Sequence, residues 1–256
     1  MGSVKRVSSI VLQRCLLFGL IAVVWWAAAR NLPSFVLPGP AKVFGAIGDL
    51  IQSASFRHDV GATASRVVSG FLLAAVSGTV VGLVLGSNRI LATFFEPILA
   101  ILNTVSSAIW AIFAIIWFGI SDATTVFVVF MTAFPLILTN VWQGTLAVER
   151  QYVDLARAFR MSQTQILLKI FLPSILPYFF SGARLAFGFG WRVSLVAETL
   201  GASDGIGYRL RQAADLVQSD RVFAWTLLLV ALMLILEAGL LKPLERALFR
   251  WKTSVQ

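Results

Sequence analysis

"VVSGFLLAAVSGTVVGLVLGS", Val67 to Ser87, carries no Asp, Glu, Lys, Arg or His. A helix crosses the hydrocarbon core of a bilayer with about 20 apolar residues, and an uninterrupted run of that length reads as a membrane span. Working outward, the interval between Pro97 and Ser121 and the interval between Ala123 and Val148 are equally free of charge. The whole chain of 256 residues is 58% hydrophobic and 13% charged, where soluble domains carry about 25% charged residues. The expectation is an all-α membrane protein of one domain, 1–256, with six transmembrane helices near 10–29, 67–87, 97–118, 123–143, 174–200 and 222–241. Membrane lipids are its surroundings.

The net charge of +9 suggests a nucleic-acid partner at first. The basic residues, however, flank the apolar runs and form no single patch with interleaved aromatics, so no nucleic acid is expected. They serve better as topology signals, because Lys and Arg concentrate on the cytoplasmic side. With the N-terminus inside, Lys5, Arg6, Arg14, Arg89, Arg150, Arg157, Arg160, Lys169, Lys242, Arg246, Arg250 and Lys252 are cytoplasmic, and Asp49, Asp59, Asp122, Asp204, Asp215 and Asp220 lie outside. Both termini are then cytoplasmic. Lys5 and Arg6 before an apolar stretch ending in Ala27-Ala28-Ala29 also fit a signal peptide, though a multispanning chain has little need of one. Cys15 is the single cysteine and His58 the single histidine, so neither an internal disulfide nor a Cys/His metal site is expected.

One polar helical segment interrupts the apolar runs, "VDLARAFRMSQTQILLKIFLP", Val153 to Pro173. Tyr152, Leu155, Ala156 and Phe159 fall at i, i+3, i+4 and i+7, one apolar stripe, while Asp154, Arg157 and Arg160 occupy another face. Ser162 followed by Gln165 fits a capping box, with Met161 and Ile166 placed as its hydrophobic staple. A short helix ending near Arg160 and a second running from Ser162 to Pro173 are expected. Such a pair lies on the headgroups or docks a cytoplasmic partner.

From Asp154 to Pro173 the chain resembles the cytoplasmic signature of permease subunits of ATP-binding-cassette importers. An acidic residue and two small ones open that signature, a glycine follows and Leu-Pro closes it; here stand Asp154, Leu155 and Ala156, then Arg160 at the glycine position, then Leu172-Pro173. "GARLAFGFGWRVSLVAETLGASDGIGYRL", "AIIWFGISD" and "LPSFVLPGPAKV" resemble the nitrate/sulfonate/taurine branch. Two departures stand out: Arg160 in place of glycine implies a turn that is not left-handed, and Ser106-Ser107 replace a proline pair.

The resemblance implies a non-catalytic subunit with no cofactor of its own. It implies a homodimer of permease chains, two ATPase subunits that bind ATP and Mg, and a periplasmic or extracellular solute-binding protein. Residues 150–173, between the fourth and fifth spans, would be the coupling segment through which nucleotide-driven ATPase closure switches the spans between inward-open and outward-open states. The chain itself has no G-x-x-x-x-G-K-[ST] phosphate loop, as a division of labour requires.

Inside the membrane, Gly70, Ala74, Gly78, Gly82 and Gly86 recur every four residues, a stripe that admits a close helix neighbour. Arg184, Arg192 and Glu198 lie in the fifth span as candidates to line a shared polar pathway, and a charge at mid-bilayer costs at least ~2.5 to 3.5 kcal/mol. Either an arginine presents its planar fork to an anionic solute such as a sulfonate, taurine or nitrate, or the arginines pair with Glu198, Glu237 or backbone carbonyls. Arg192 is the better candidate for the pathway. Asn103, Asn140, Ser106, Ser107 and Trp110 are further polar or amphipathic groups within spans, fitted to packing or to the pathway. Residues 41–51 have helical spacing beside Pro33, Pro38 and Pro40, and 201–221 form a polar outer loop fitted to the binding protein. A self-sufficient secondary transporter is the alternative; the inverted repeats and broken helices that mark one are not visible in the sequence. A membrane enzyme would need a clustered nucleophile and base, and none is apparent.

Overall fold

Several helices in this chain begin where a capping side chain or a proline interrupts the run: Asn88, Ser106 and Ser162 accept first-turn amides, and Pro40 opens a helix. The computed structural model describes residues 2–241 and Pro243, and among them only helices and their connections. The helices are α1 (Gly2–Asn31), α2 (Pro40–Gln52), α3 (Phe56–Ser87), α4 (Arg89–Thr104), α5 (Ser107–Phe118), α6 (Asp122–Leu146), α7 (Arg150–Ala158), α8 (Gln163–Ile166), α9 (Leu172–Gly201), α10 (Ile206–Asp215) and α11 (Ser219–Leu236). Lys242, Arg246, Arg250 and Lys252 of the topology argument lie outside the described residues. Four helical stretches among the described residues are long and apolar enough to cross a membrane: Phe56–Ser87, Asp122–Leu146, Gln163–Gly201 and Ser219–Gly239. The α4–α5 pair makes a fifth if the two act together.

That pair corrects the single third span expected over 97–118. α4 and α5 meet at 95°. Val105 and Ser106 are extended, with ψ of 122° and 145°. The Ser106 hydroxyl accepts from the Ala108 amide and so supplies the capping oxygen that starts a new helix. A second correction concerns Pro173, expected to end the helix after Ser162. Residues 167–171 widen into a π-turn and the helix continues as α9, 39 residues from Gln163 to Gly201. Proline lacks an N–H and its ring collides with the carbonyl four residues back; the wider winding before Pro173 relieves both demands.

The chain divides into two compact units, Met1–Arg57 with Arg209–Val230 and His58–Tyr208 with Ala231–Gln256. In the first, α2 buries Val43, Ala46 and Leu50, and the Trp25 indole donates to the Pro38 carbonyl at 3.1 Å. Trp25 also stacks on Phe223, centroids 6.4 Å apart.

The second unit is built around α6. Ala133, Ile137 and Val141 of α6, Ala74 and Ala75 of α3 and Ile175 and Ala186 of α9 form one buried cluster. The four-residue glycine stripe of α3 is what brings that helix onto α6. A Cβ on Gly70 would lie 2.7 Å from the Val126 carbonyl oxygen, one on Gly82 2.8 Å from that of Leu138, and one on Gly78 3.2 Å from that of Phe134. Gly86 sits against Thr145. α9 uses the same device, with Gly182 against Asn140 and Gly201 against Thr124. Lipid offers no hydrophobic drive for helix association, so backbone approach through small residues carries the packing.

Candidate functional site

Within the second unit, α7 and α8 present the polar segment. Ser162 and Gln165 form a complete capping box: the Ser162 hydroxyl accepts from the Gln165 amide at 3.3 Å, and the Gln165 side chain accepts from the Ser162 amide at 2.9 Å. Ala156 and Ile166 are buried, whereas Tyr152, Leu155 and Phe159 are exposed, Phe159 at 74%. A helix of 9 residues is too short to span a bilayer, so its bare apolar stripe faces a headgroup layer or a partner. The stripe opens onto a groove of about 420 Å³ that includes Met161, Lys169 and Pro173. Asp154 and Arg157, 3.6 Å apart, line a separate cleft of about 730 Å³ with Gly86, Thr145 and Ile166.

Arg160 contradicts the expected geometry. Its φ is 55°, in the left-handed region. The Arg160 amide donates to the Arg157 carbonyl at 2.8 Å and the Met161 amide to that of Ala156 at 3.0 Å, the two bonds of a Schellman closure. Those bonds need a left-handed residue after the helix whatever its side chain, and they hold arginine where glycine would sit without strain.

One face of α3 carries a second constellation. Asp59, Thr63 and Arg66 fall at i, i+4 and i+7 and continue directly into the glycine stripe. Arg66 is 4% exposed and Glu198 0%. Arg66 donates from Nε to Asp122 Oδ1 at 2.7 Å, and from Nη1 to Glu198 Oε1 and the Asp204 carbonyl, each at 3.0 Å; Nη2 reaches Asp204 Oδ1. Glu198 Oε2 accepts from the Thr63 hydroxyl and from the Gly207 amide, both at 2.9 Å. The Gly205 amide donates to Asp59 Oδ1 at 3.1 Å and the Ile206 amide to Thr63 Oγ1 at 2.9 Å. Glu198 and the Thr63 hydroxyl thereby satisfy first-turn amides of α10 and Asp59 the amide just before it, at a helix end whose dipole favours negative charge. Gly205, at φ 100°, has Arg66 Nη1 and Glu198 Oε2 each 2.8 Å from where a Cβ would be. His58 Nε2 lies 2.7 Å from Asp204 Oδ2. Partial burial acts to raise the pKa of the Asp204 carboxyl, but Arg66 and His58 outweigh it and hold the group below the usual carboxylate range. Among the described residues no three His, Cys, Asp or Glu are placed to hold a metal; a guanidinium occupies the centre of this cluster.

Glu198 is therefore the partner of Arg66, and neither Arg184 nor Arg192 meets it. Both arginines lie on the exposed face of α9 with Ser181, Leu185 and Phe189, and the Arg192 guanidinium stands 5.3 Å from the Phe189 ring. Phe189 lines a cavity of about 220 Å³ at the α4–α5 bend, with Asn103, Ser107, Trp110, Thr132 and Val193. Asn103 Nδ2 donates to the Leu99 carbonyl at 2.9 Å, and Trp110 packs edge-on against Phe113 and Phe127. Sequence reasoning missed the Arg66 cluster. The charge bias puts Asp59, Asp122 and Asp204 on one side of the membrane, and the i, i+4, i+7 spacing of Asp59, Thr63 and Arg66 was a usable signal.

Comparison with known proteins follows the same lines. The family described as "Binding-protein-dependent transport system inner membrane component" matches residues 78–242. The putative aliphatic sulfonates transport permease protein SsuC of Bacillus subtilis (strain 168) is 28% identical over 94% of this chain and 88% of its own length. The taurine transport system permease protein TauC of Escherichia coli (strain K12) is 25% identical over 95% and 92%, and the nitrate import permease protein NrtB of Synechococcus elongatus 36% identical over 74% and 71%. A solved structure of inward-facing conformations of the MetNI methionine ABC transporter aligns at a TM-score of 0.65 with 20% identity, covering 75% of this chain and 95% of that one. That likeness is one of fold.

Proposed function

Because this chain belongs to the family of inner membrane components of binding-protein-dependent transport systems, we propose that it is the permease subunit of an ATP-driven importer and forms the pathway for a small anionic solute. The observation that carries the reading is α7: a short, capped, amphipathic helix whose apolar stripe stands exposed on a chain with no phosphate loop of its own. Asp154, Leu155, Arg157, Phe159, Arg160 and Ser162 are its coupling surface, and buried Ala156 seats the coupling helix from behind. A lever must be rigid to transmit closure of a motor. The Schellman closure at Arg160 and the capping box at Ser162 supply that rigidity to the α7–α8 corner.

The whole chain acts as one permease domain with six spans and both termini in the cytoplasm, the α4–α5 pair serving as the third span. Two copies associate with two ATPases, which bind ATP and Mg, and a solute-binding protein delivers the solute. The α4–α5 cavity and the exposed face of α9 line the pathway, with Arg192 placed to meet an oxyanion and Arg184 two turns away. A sulfonate, taurine or nitrate suits a guanidinium fork, and the names of the relatives favour that class. Glu198 belongs to the Arg66 cluster and is assigned to architecture.

The test is the mass of the complex that copurifies with this chain when it is tagged at Gln256 and extracted gently. Two copies of the chain with two ATPase copies support the reading. A chain that emerges alone and moves solute in liposomes without ATP refutes it in favour of a secondary transporter, for which the broken α4–α5 helix is the one structural argument.

A further inference from the structure

Within the first unit, both ends of α2 are tied to the ends of longer helices. Its N-cap, Gly39, packs beside α1, where an added Cβ would lie 4.0 Å from the Ala29 Cβ. The Pro38 carbonyl accepts from the Trp25 indole at 3.1 Å, and the Phe35 carbonyl accepts from the hydroxyl of Ser219, the first residue of α11. At the far end, Leu50 and Ser53 share a small cleft with Gln218, Arg221 and Trp225, where α11 begins. Trp25 stacks on Phe223, so the last turns of α1 and the first turns of α11 stand side by side. α2 is therefore fixed, at both ends, to the level where the apolar runs of α1 and α11 stop.

That level carries the marks of a bilayer boundary. Arg30 is the first charge after the apolar run of α1, and its guanidinium lies 3.7 Å over the ring of exposed Trp26. Tryptophan and a snorkelling cation gather where headgroups meet acyl chains. Trp25, which bonds the segment leading into α2, precedes Arg30 by about 7.5 Å at 1.5 Å per residue. α2 itself has 13 residues, a length of about 20 Å, too short to cross a hydrocarbon core of about 30 Å.

At about 100° per residue, the side chains of α2 divide into three arcs. Val43, Ala46 and Leu50 are buried and form the middle arc. On one flank Phe44, Ile47 and Ile51 fall within about 60° of one another; Phe44 and Ile51 are exposed and Ile47 half-buried. On the other flank Lys42, Asp49 and Gln52, all exposed, fall within about 80°. Protein covers the middle arc and water suits the polar flank. The bare apolar flank calls for a second apolar phase, on the side opposite the water, and a helix held at the boundary has acyl chains there.

We propose that α2 is an interfacial helix, lying flat in the membrane boundary at the C-terminal end of α1 with membrane lipid as the occupant of its apolar flank. Phe44 and Ile51 enter the acyl region, Lys42 and Asp49 face water, and the helix holds the α1–α11 corner at a fixed depth. This rests on the reading of α1 and α11 as spans, and in the six-span topology the boundary is the outer one.

The test is a depth measurement on the full chain in phosphatidylcholine nanodiscs. Cys15→Ser removes the single cysteine, and spin labels are then set singly at Leu20→Cys, Lys42→Cys, Phe44→Cys, Asp49→Cys and Ile51→Cys. All five positions are exposed, so the fold tolerates the labels. Depth is read from collision with oxygen, which favours lipid, against a nickel chelate, which stays in water. The proposal expects labels at 44 and 51 to lie about 5–10 Å below the headgroup level, those at 42 and 49 in water, and that at 20 deep in hydrocarbon. Labels at 44 and 51 open to the nickel chelate, with Leu20→Cys still deep, overturn the proposal alone and leave that flank to a soluble partner such as the binding protein. Labels at 44 and 51 shielded from both reagents also overturn it, because protein then covers the flank. A Leu20→Cys label open to the chelate overturns the proposal together with the span on which it rests.

Discussion

Arg66→Met is predicted to be among the most damaging single changes in the second unit. The guanidinium donates to Asp122, Glu198 and Asp204, both the side chain and the carbonyl of the last. Methionine keeps much of the apolar stem and removes all of those bonds. Glu198, 0% exposed, then retains only the Thr63 hydroxyl and the Gly207 amide. Removing one partner of a buried ion pair costs about 3–5 kcal/mol, because the other charge stays buried without compensation. The two remaining donors to Glu198 place this case near 3 kcal/mol. At roughly 2–4 °C per kcal/mol for a chain of this size, the melting temperature falls by about 6–12 °C. Fluorescence-detected size-exclusion chromatography after graded heating in detergent measures it. Glu198→Gln on the Arg66→Met background relieves the stranded charge and restores part of the loss. A single variant that melts within about 2 °C of the unaltered protein, or a double variant worse than the sum of its parts, refutes the reasoning.

Three further predictions follow from other parts of the chain. Gly82→Leu drives side-chain atoms into the Leu138 carbonyl and Val141, since even a Cβ there lies 2.8 Å and 2.9 Å from them; overpacking costs about 1–3 kcal/mol or more, and an unchanged melting temperature would contradict the close approach of α3 and α6. Arg160→Gly keeps the Schellman bonds and relieves the left-handed strain, about 1 kcal/mol less the added unfolded-state entropy of glycine, so amide exchange across 156–161 slows; faster exchange argues against the closure. Because the Asp204 pKa is lowered in the folded chain, its ionic contribution is present above the ordinary aspartate value of about 3.9 and is lost as pH falls through the lower folded value. Stability measured against pH therefore drops more steeply below pH 4 for the unaltered protein than for Asp204→Asn, and parallel curves would show that the group does not act.

Local pattern was legible in the sequence wherever one helix face carried it. The glycine stripe from Gly70 to Gly86 pointed to a close neighbour, and the Ser162–Gln165 capping box is present as its spacing required. The 95° bend at Val105-Ser106 was not legible, since two serines in an apolar run are compatible with an unbroken span as well as with a cap. The left-handed Arg160 was misjudged because residue preference was taken for necessity: the Schellman bonds fix the backbone, and the side chain bears the cost. Glu198 was matched with arginines on its own helix, where helical angles can be computed. Its partner Arg66 is 132 positions away, a pairing that only the packing of α3 against α6 and α9 creates.

The central claim is that α7 transmits the motor's closure, and the most direct measurement compares solute uptake with ATP hydrolysis in proteoliposomes holding the purified complex with Phe159→Asp. Phe159 is 74% exposed, so a carboxylate there leaves insertion and folding intact while removing the most exposed member of the apolar stripe, at its C-terminal end. The account predicts assembly in the membrane at the unaltered level with uptake lost and hydrolysis no longer stimulated by the binding protein. Uptake equal to that of the unaltered complex, at the same ATP consumed per solute, would contradict it.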